Sequence, residues 1–170
     1  MKKHLLKSFV LCLALCLLLP AAVSCQGEPP HEPQASEEDY FSIGEIRFAV
    51  GQVVTEETLA PLGAQTREPE EAPNCAFDGK GMLYTFSGFE VETYVKDGLT
   101  YFYGVYFLDD SISTEKGITI GSAKDDVTKA YGKADAEKEG SLTYHRKNLD
   151  LVFFLKEGRV TRIHYLFGVE

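Results

Sequence analysis

The sequence predicts an α+β fold of two tandem repeats, each a short helix followed by a three- to four-stranded antiparallel meander. Three observations predict it. Residues 84–98 (YTFSGFEVETYVKDG) and 144–158 (YHRKNLDLVFFLKEG) share a Tyr, a β-rich run and a Lys-acid-Gly turn at a constant offset of 60. Within both runs apolar residues alternate with polar ones, the period of a half-buried strand. Ahead of the second run, residues 123–131 carry helical spacing and end at Gly132. Self-similarity at a fixed offset marks a repeated structural unit.

The elements of the second repeat follow in order. Val127, Ala130 and Tyr131 fall at i, i+3 and i+4, one apolar face of a helix that Ser122 or Asp125 can cap and Gly132 stops. Strands are expected over 142–146, 149–156 and 159–166, separated by the turn signals Lys147-Asn148 and Glu157-Gly158. Alternation puts Leu149, Leu151, Phe153 and Leu155 on one face with Ile163 and Tyr165, and that face should pack on the helix.

In the first repeat the helix is shorter, near 56–62, with Pro61 close to its end. The corresponding core face is Phe89, Val91, Thr93 and Val95 with Val105 and Phe107. The connection between Gly63 and Tyr84 is nine residues longer than its partner and reads as a loop insertion. Tyr101 to Phe107 (YFYGVYF) is too apolar for an open edge and is expected as a central or covered strand.

The N-terminus precedes all of this. Lys2, Lys3 and Lys7 lead into an apolar run, FVLCLALCLLL, that Pro20 ends. A basic start, a short apolar stretch and small residues before a cut site describe a secretory signal. The run is too short for a stable span, which needs about 20 apolar residues. Ala22-Val23-Ser24-Cys25 resembles the lipobox of bacterial lipoproteins, although Ala22 stands where that family usually has Leu. The resemblance implies cleavage before Cys25, a diacylglyceryl group on its thiol and a lipid-anchored, extracytoplasmic protein at the cell membrane. Gln26 to Ser42, rich in Pro and Glu, reads as an extended tether. The organisation expected is therefore 1–24 signal peptide, 25–44 tether, 45–110 first repeat and 111–170 second repeat.

Charge and cysteines narrow the function. All 26 acidic residues lie beyond residue 24 with 14 of the 17 Lys and Arg, so the mature chain carries 14 − 26 = −12. Such acidity argues against nucleic acid and against adsorption of the protein surface to anionic lipid. Cys12 and Cys16 leave with the signal, Cys25 is acylated, and Cys75 remains without an intramolecular partner. It reads as a small buried apolar residue, with a reactive thiol as the alternative.

The sheet face turned from the helices carries the candidate sites. Aromatics mixed with charges make a recognition surface. The residues expected there are Glu90, Glu92, Tyr94, Phe102 and Tyr106 in the first repeat and Phe154 and Arg162 in the second. If Lys147-Asn148 is a two-residue turn and Lys156-Glu157-Gly158 forms the next, His145, Asp150 and His164 align across three strands. Two imidazoles and a carboxylate can hold zinc or act as acid and base, the reading of a metal-dependent or hydrolytic envelope protein. No nucleophile elbow and no glycine-rich phosphate loop is present. No cofactor and no catalytic residue is assigned.

The motif G-x-x-x-x-D-V-x-x-x-Y-G at Gly121 to Gly132, followed by aromatic strands around Lys156-Glu157-Gly158, is similar to the helix-plus-meander modules of outer-membrane assembly lipoproteins and tandem β-lactamase-inhibitory proteins. The chain departs from them in having Ala134 and Gln65 where Pro is common, and in having no Trp. Asn74-Cys75-Ala76-Phe77-Asp78-Gly79 and Lys116-Gly117-Ile118-Thr119-Ile120-Gly121 look closer to uncharacterised lipoproteins of Gram-positive anaerobes. The function expected is a non-catalytic, membrane-anchored module binding an envelope protein or polymer. A purely structural envelope lipoprotein is the further alternative.

Overall fold

Alternating apolar residues and tight turns dominate the chain beyond residue 80, and the computed structural model turns them into one antiparallel sheet. It describes residues 40–43, 46–49, 51–73 and 79–168. The expected signal peptide, Cys25, most of the tether and Cys75 lie outside the described residues. Among the described residues no helix is long and apolar enough to cross a membrane.

The elements run β1 (Tyr40–Ile43), β2 (Ile46–Ala49), α1 (Glu56–Leu59), β3 (Glu70–Glu71), β4 (Met82–Thr85), β5 (Phe89–Lys96), β6 (Leu99–Phe107), α2 (Lys124–Tyr131), β7 (Ala136–Lys138), β8 (Ser141–Arg146), β9 (Leu149–Lys156) and β10 (Arg159–Phe167). β1 and β2 form a two-stranded ribbon. The other eight form a single sheet in the order β3-β4-β5-β6-β10-β9-β8-β7. This corrects the expected class. The protein is mostly antiparallel β, one eight-stranded sheet and a ribbon with two short helices, and not two α+β meander modules. The reason is at the centre: β6 and β10 pair directly, His164 with Tyr106, Tyr165 with Val105 and Leu166 with Gly104. Backbone donors that would edge a separate meander are satisfied by the other half of the chain.

Local sequence explains the elements. Asp97-Gly98 and Glu157-Gly158 both take positive φ, which closes the β5–β6 and β9–β10 hairpins with two-residue turns matched to the strand twist. The long connection after Gly63 is more than an inserted loop, because it supplies β3, which pairs Glu70 with Leu83 and Glu71 with Met82. β3 and β7 are short and charged, and so they end the sheet without a long edge for another chain to extend. β6, the most apolar strand, is central.

Thr55 caps α1 by accepting from the Thr58 N–H at 3.3 Å, and the helix tightens into a 3₁₀ turn over Ala60–Leu62. Gly132 ends α2, as its spacing implies. Neither Ser122 nor Asp125 caps this helix. Ser122 Oγ accepts from Thr119 N–H at 3.1 Å, and Asp126 accepts from Ala123 N–H at 3.3 Å. One face of the sheet packs under α1, α2 and the ribbon. Its core holds Phe48, Leu59 and Val127 with Val91, Phe102, Val105, Leu151, Phe153, Ile163 and Tyr165.

Candidate functional site

The other face of the sheet has no helix or ribbon over it among the described residues, and its side chains are set by strand alternation and two bulges. On β5, Glu90, Glu92 and Tyr94 point outward between the buried Phe89, Val91 and Thr93. On β6 the register shifts: Glu92 faces Gly104 but Thr93 faces Phe102, which leaves Tyr103 unopposed. That bulge resets the alternation, so Phe102 turns inward with Val105 and is 1% exposed. Phe102 is therefore a core residue, correcting its expected place on the open face. Tyr101 and Tyr103 take its place. Tyr94 stacks on Tyr101 at 5.4 Å between ring centroids and meets Tyr103 edge-on at 6.2 Å.

Beside this tyrosine group lies a polar and aromatic row. Tyr106 donates from Oη to Glu92 Oε2 at 2.5 Å. Burial and that hydrogen bond together push the Tyr106 phenol well above its ordinary range. Arg67, from the segment before β3, donates to Thr85 Oγ1 at 2.7 Å and forms an ion pair with Glu90. Across the seam, His164 meets Tyr106 edge-on at 4.7 Å and Phe154 at 4.8 Å. Arg162 places its guanidinium 4.6 Å from the Phe154 ring centroid. Burial first, and then the Arg162 charge, lower the His164 imidazole to about 4, so it is neutral at physiological pH.

Of the expected binding residues, Glu90, Glu92, Tyr94, Tyr106, Phe154 and Arg162 are brought onto this one face, and Phe102 is not. The three metal candidates part company. His145 faces Asp150 as the Lys147-Asn148 turn implies, with Nδ1 2.8 Å from Oδ1. His164, however, pairs with Val152, and Asp150 with Leu166. The turn is the two-residue Glu157-Gly158, with Lys156 pairing Arg159, and a bulge between Val160 and Arg162 adds a second step, so the register runs two residues past the expected Asp150–His164 pairing. Among the described residues no group of three or more His, Cys, Asp and Glu is placed to hold a metal ion.

Arg67, Tyr101, Tyr103 and Gly104 were not legible as site residues. Gly104, inside a strand of large aromatics, is the one signal that marks the bulge beforehand, because a strand-interior glycine marks a bulge or a close approach. Here it does both. A Cβ on Gly104 would lie 2.5 Å from Tyr106 Oη. Chemically, the face offers flat aromatic surface, two carboxylates held by Arg67 and Tyr106, and one guanidinium. These are groups for recognition. No protein-family model, curated protein or solved structure matches the chain.

Proposed function

We propose that this protein is a lipid-anchored, extracytoplasmic lipoprotein whose domain binds an envelope protein or polymer through the open face of its sheet, without catalysing a reaction. The observation that supports the binding reading most is the outward cluster of Tyr94, Tyr101 and Tyr103 beside Glu90, Glu92 and Arg162. Tyr and Arg are the side chains that recognition surfaces enrich, because each offers area and a polar tip at low entropic cost. The anchoring reading is supported by the basic start, the short apolar run, Ser24-Cys25 and the acidic Pro-rich stretch behind them.

Two measurements test these parts separately. Mass spectrometry of the mature N-terminal peptide should find a diacylglyceryl-modified Cys25. An unmodified cysteine or a different cut refutes anchoring and leaves the binding face untouched. For the face, Tyr94→Ala, Tyr103→Ala and Phe154→Ala are combined in the full chain. Co-sedimentation with isolated envelope material should be lost, with the cooperative thermal transition retained. Undiminished co-sedimentation sinks the assignment of the face.

A further inference from the structure

A second feature lies away from the tyrosine face. Between the ribbon and the β8–β9 turn is a cleft of about 550 Å³, lined by Tyr40, Arg47, Glu115, Lys116, Arg146 and Lys147 among others. Its charge runs against the rest of the molecule. The chain holds 17 Lys and Arg against 26 acidic residues, yet among the described residues the cleft is lined by four Lys and Arg against one Glu. Chance placement on an acidic surface would give the opposite balance.

The one acid is turned inward. Glu115 forms an ion pair through Oε1 with Arg146 and accepts from Tyr165 Oη through Oε2 at 2.6 Å. Both of its oxygens are thus engaged, and its charge is spent on Arg146 and the core. Arg146, 19% exposed at its side chain, also donates to the Tyr40 carbonyl at 3.4 Å. A guanidinium has five N–H donors. Those two bonds leave further donors on a side chain that lines the cleft. Arg47 and Lys116 make no ion pair among the described residues. Each lies over an aromatic ring instead, Arg47 at 4.6 Å from the Tyr40 centroid and Lys116 at 4.7 Å from that of Tyr131. Stacking fixes a cation in place without neutralising it.

We propose that this cleft is a binding site for a phosphate ester. Arg146 and Arg47 provide planar donor forks and Lys116 a point charge, the combination that suits a tetrahedral dianion. Arg47 and Lys116, which make no ion pair among the described residues, supply two positive charges to match the two negative charges of a phosphate monoester. The volume leaves room for the polyol or sugar carrying the phosphate, within the usual range of small-molecule sites of about 300–1,000 Å³. Such a group can come from a soluble ester or from a lipid headgroup. With Cys25 lipidated, as proposed above, the fifteen residues to Tyr40 reach at most about 50 Å, so headgroups lie within range.

The test uses the full chain in neutral detergent. Glycerol phosphate at millimolar concentration should shift the amide resonances of Arg47, Lys116 and residues 145–147 and leave those of Tyr94 and Tyr103 in place. Arg47→Ala with Lys116→Ala, both exposed positions, should weaken binding by roughly tenfold or more while the fold persists. Neutral-detergent micelles doped with phosphatidic acid, whose headgroup is a phosphate monoester, then separate the sources. Shifts at Arg47 and Lys116 that phosphatidic acid produces and the double variant lacks assign the headgroup, and a response to glycerol phosphate alone assigns the soluble ester. Absence of both responses, or responses equal in the double variant, overturns the site whatever the fate of the tyrosine face.

Discussion

The Tyr106 ring lies across the backbone of Gly104, two residues earlier on the same strand, and reaches Glu92 on the neighbouring one. Glycine permits this because it has no Cβ to occupy the space under the ring. In a strand the loss of side-chain packing at glycine usually costs stability, and here the aromatic cover offsets it. Gly104→Ala should therefore expel the flexible Tyr106 side chain without breaking the strand. Tyr106→Phe should cost about 1–3 kcal/mol in the native background, because it strands a charged acceptor. In the Gly104→Ala background the same change should cost close to nothing. A double-mutant cycle by urea unfolding reads this coupling directly, and additive costs would show that the two residues act independently.

The bulge at Tyr103 makes a second prediction, because it exchanges the roles of neighbouring aromatics. Phe102→Ala should destabilise by about 3–5 kcal/mol, the cost of a cavity in a well-packed core. Tyr94→Ala, which removes one outward stacking partner, should cost only about 1 kcal/mol. Simple alternation along β6 predicts the reverse order. Urea midpoints for the two variants decide between them.

That reversal shows where sequence reasoning runs out. Hairpins closed by Asp97-Gly98 and Glu157-Gly158 are legible because few residues accept positive φ, and the core positions of β9 follow from strict alternation. α2 is legible from the spacing of Val127, Ala130 and Tyr131. The single sheet is not, because the β6–β10 pairing joins segments far apart in sequence and leaves no local mark. Bulges are nearly as opaque. Each adds one residue to one strand, so Phe102 was placed on the wrong face and His164 opposite the wrong partner, while Glu90, Glu92 and His145 were placed correctly. The cleft was hidden for the same reason, since Arg47, Lys116 and Arg146 meet only through tertiary structure.

Glu115 lines that cleft, and its energetics are separable from any ligand. Burial pushes its carboxyl up, but hydrogen bonds from Arg146 and Tyr165 outweigh burial and hold it below its ordinary 4.5. A carboxyl depressed in the folded state contributes stability that is present above the unfolded value and lost as pH falls through the folded one. Glu115→Gln should cost about 1–3 kcal/mol at neutral pH by leaving Arg146 without its counter-charge. It should also flatten the loss of stability below about pH 4.5. Thermal midpoints across an acid series check both, and an unchanged slope would place the Glu115 charge outside the stability balance.

The two histidines of β8 and β10 should titrate in opposite directions. His145 is exposed, and the hydrogen bond and charge of Asp150 raise its imidazole above 6.5. Asp150→Asn should lower it, with the Asp135 charge still acting to raise it, as read from its ring-proton shift. His164 is lowered to about 4 by burial between Tyr106 and Phe154 and by Arg162. Between about pH 4 and 6.5 the unfolded chain then holds a proton on His164 that the folded chain does not. Acidification through that window must favour unfolding, by at most about 3 kcal/mol at its lower end. His164→Phe keeps the aromatic contacts and removes the titrating group. It should leave the neutral-pH midpoint nearly unchanged and abolish this part of the acid sensitivity, which lies above the range where Glu115 acts. A ring-proton titration that places His164 near 6.5 would show that water reaches the seam between β6 and β10, and the pH dependence above 4.5 would then need another group.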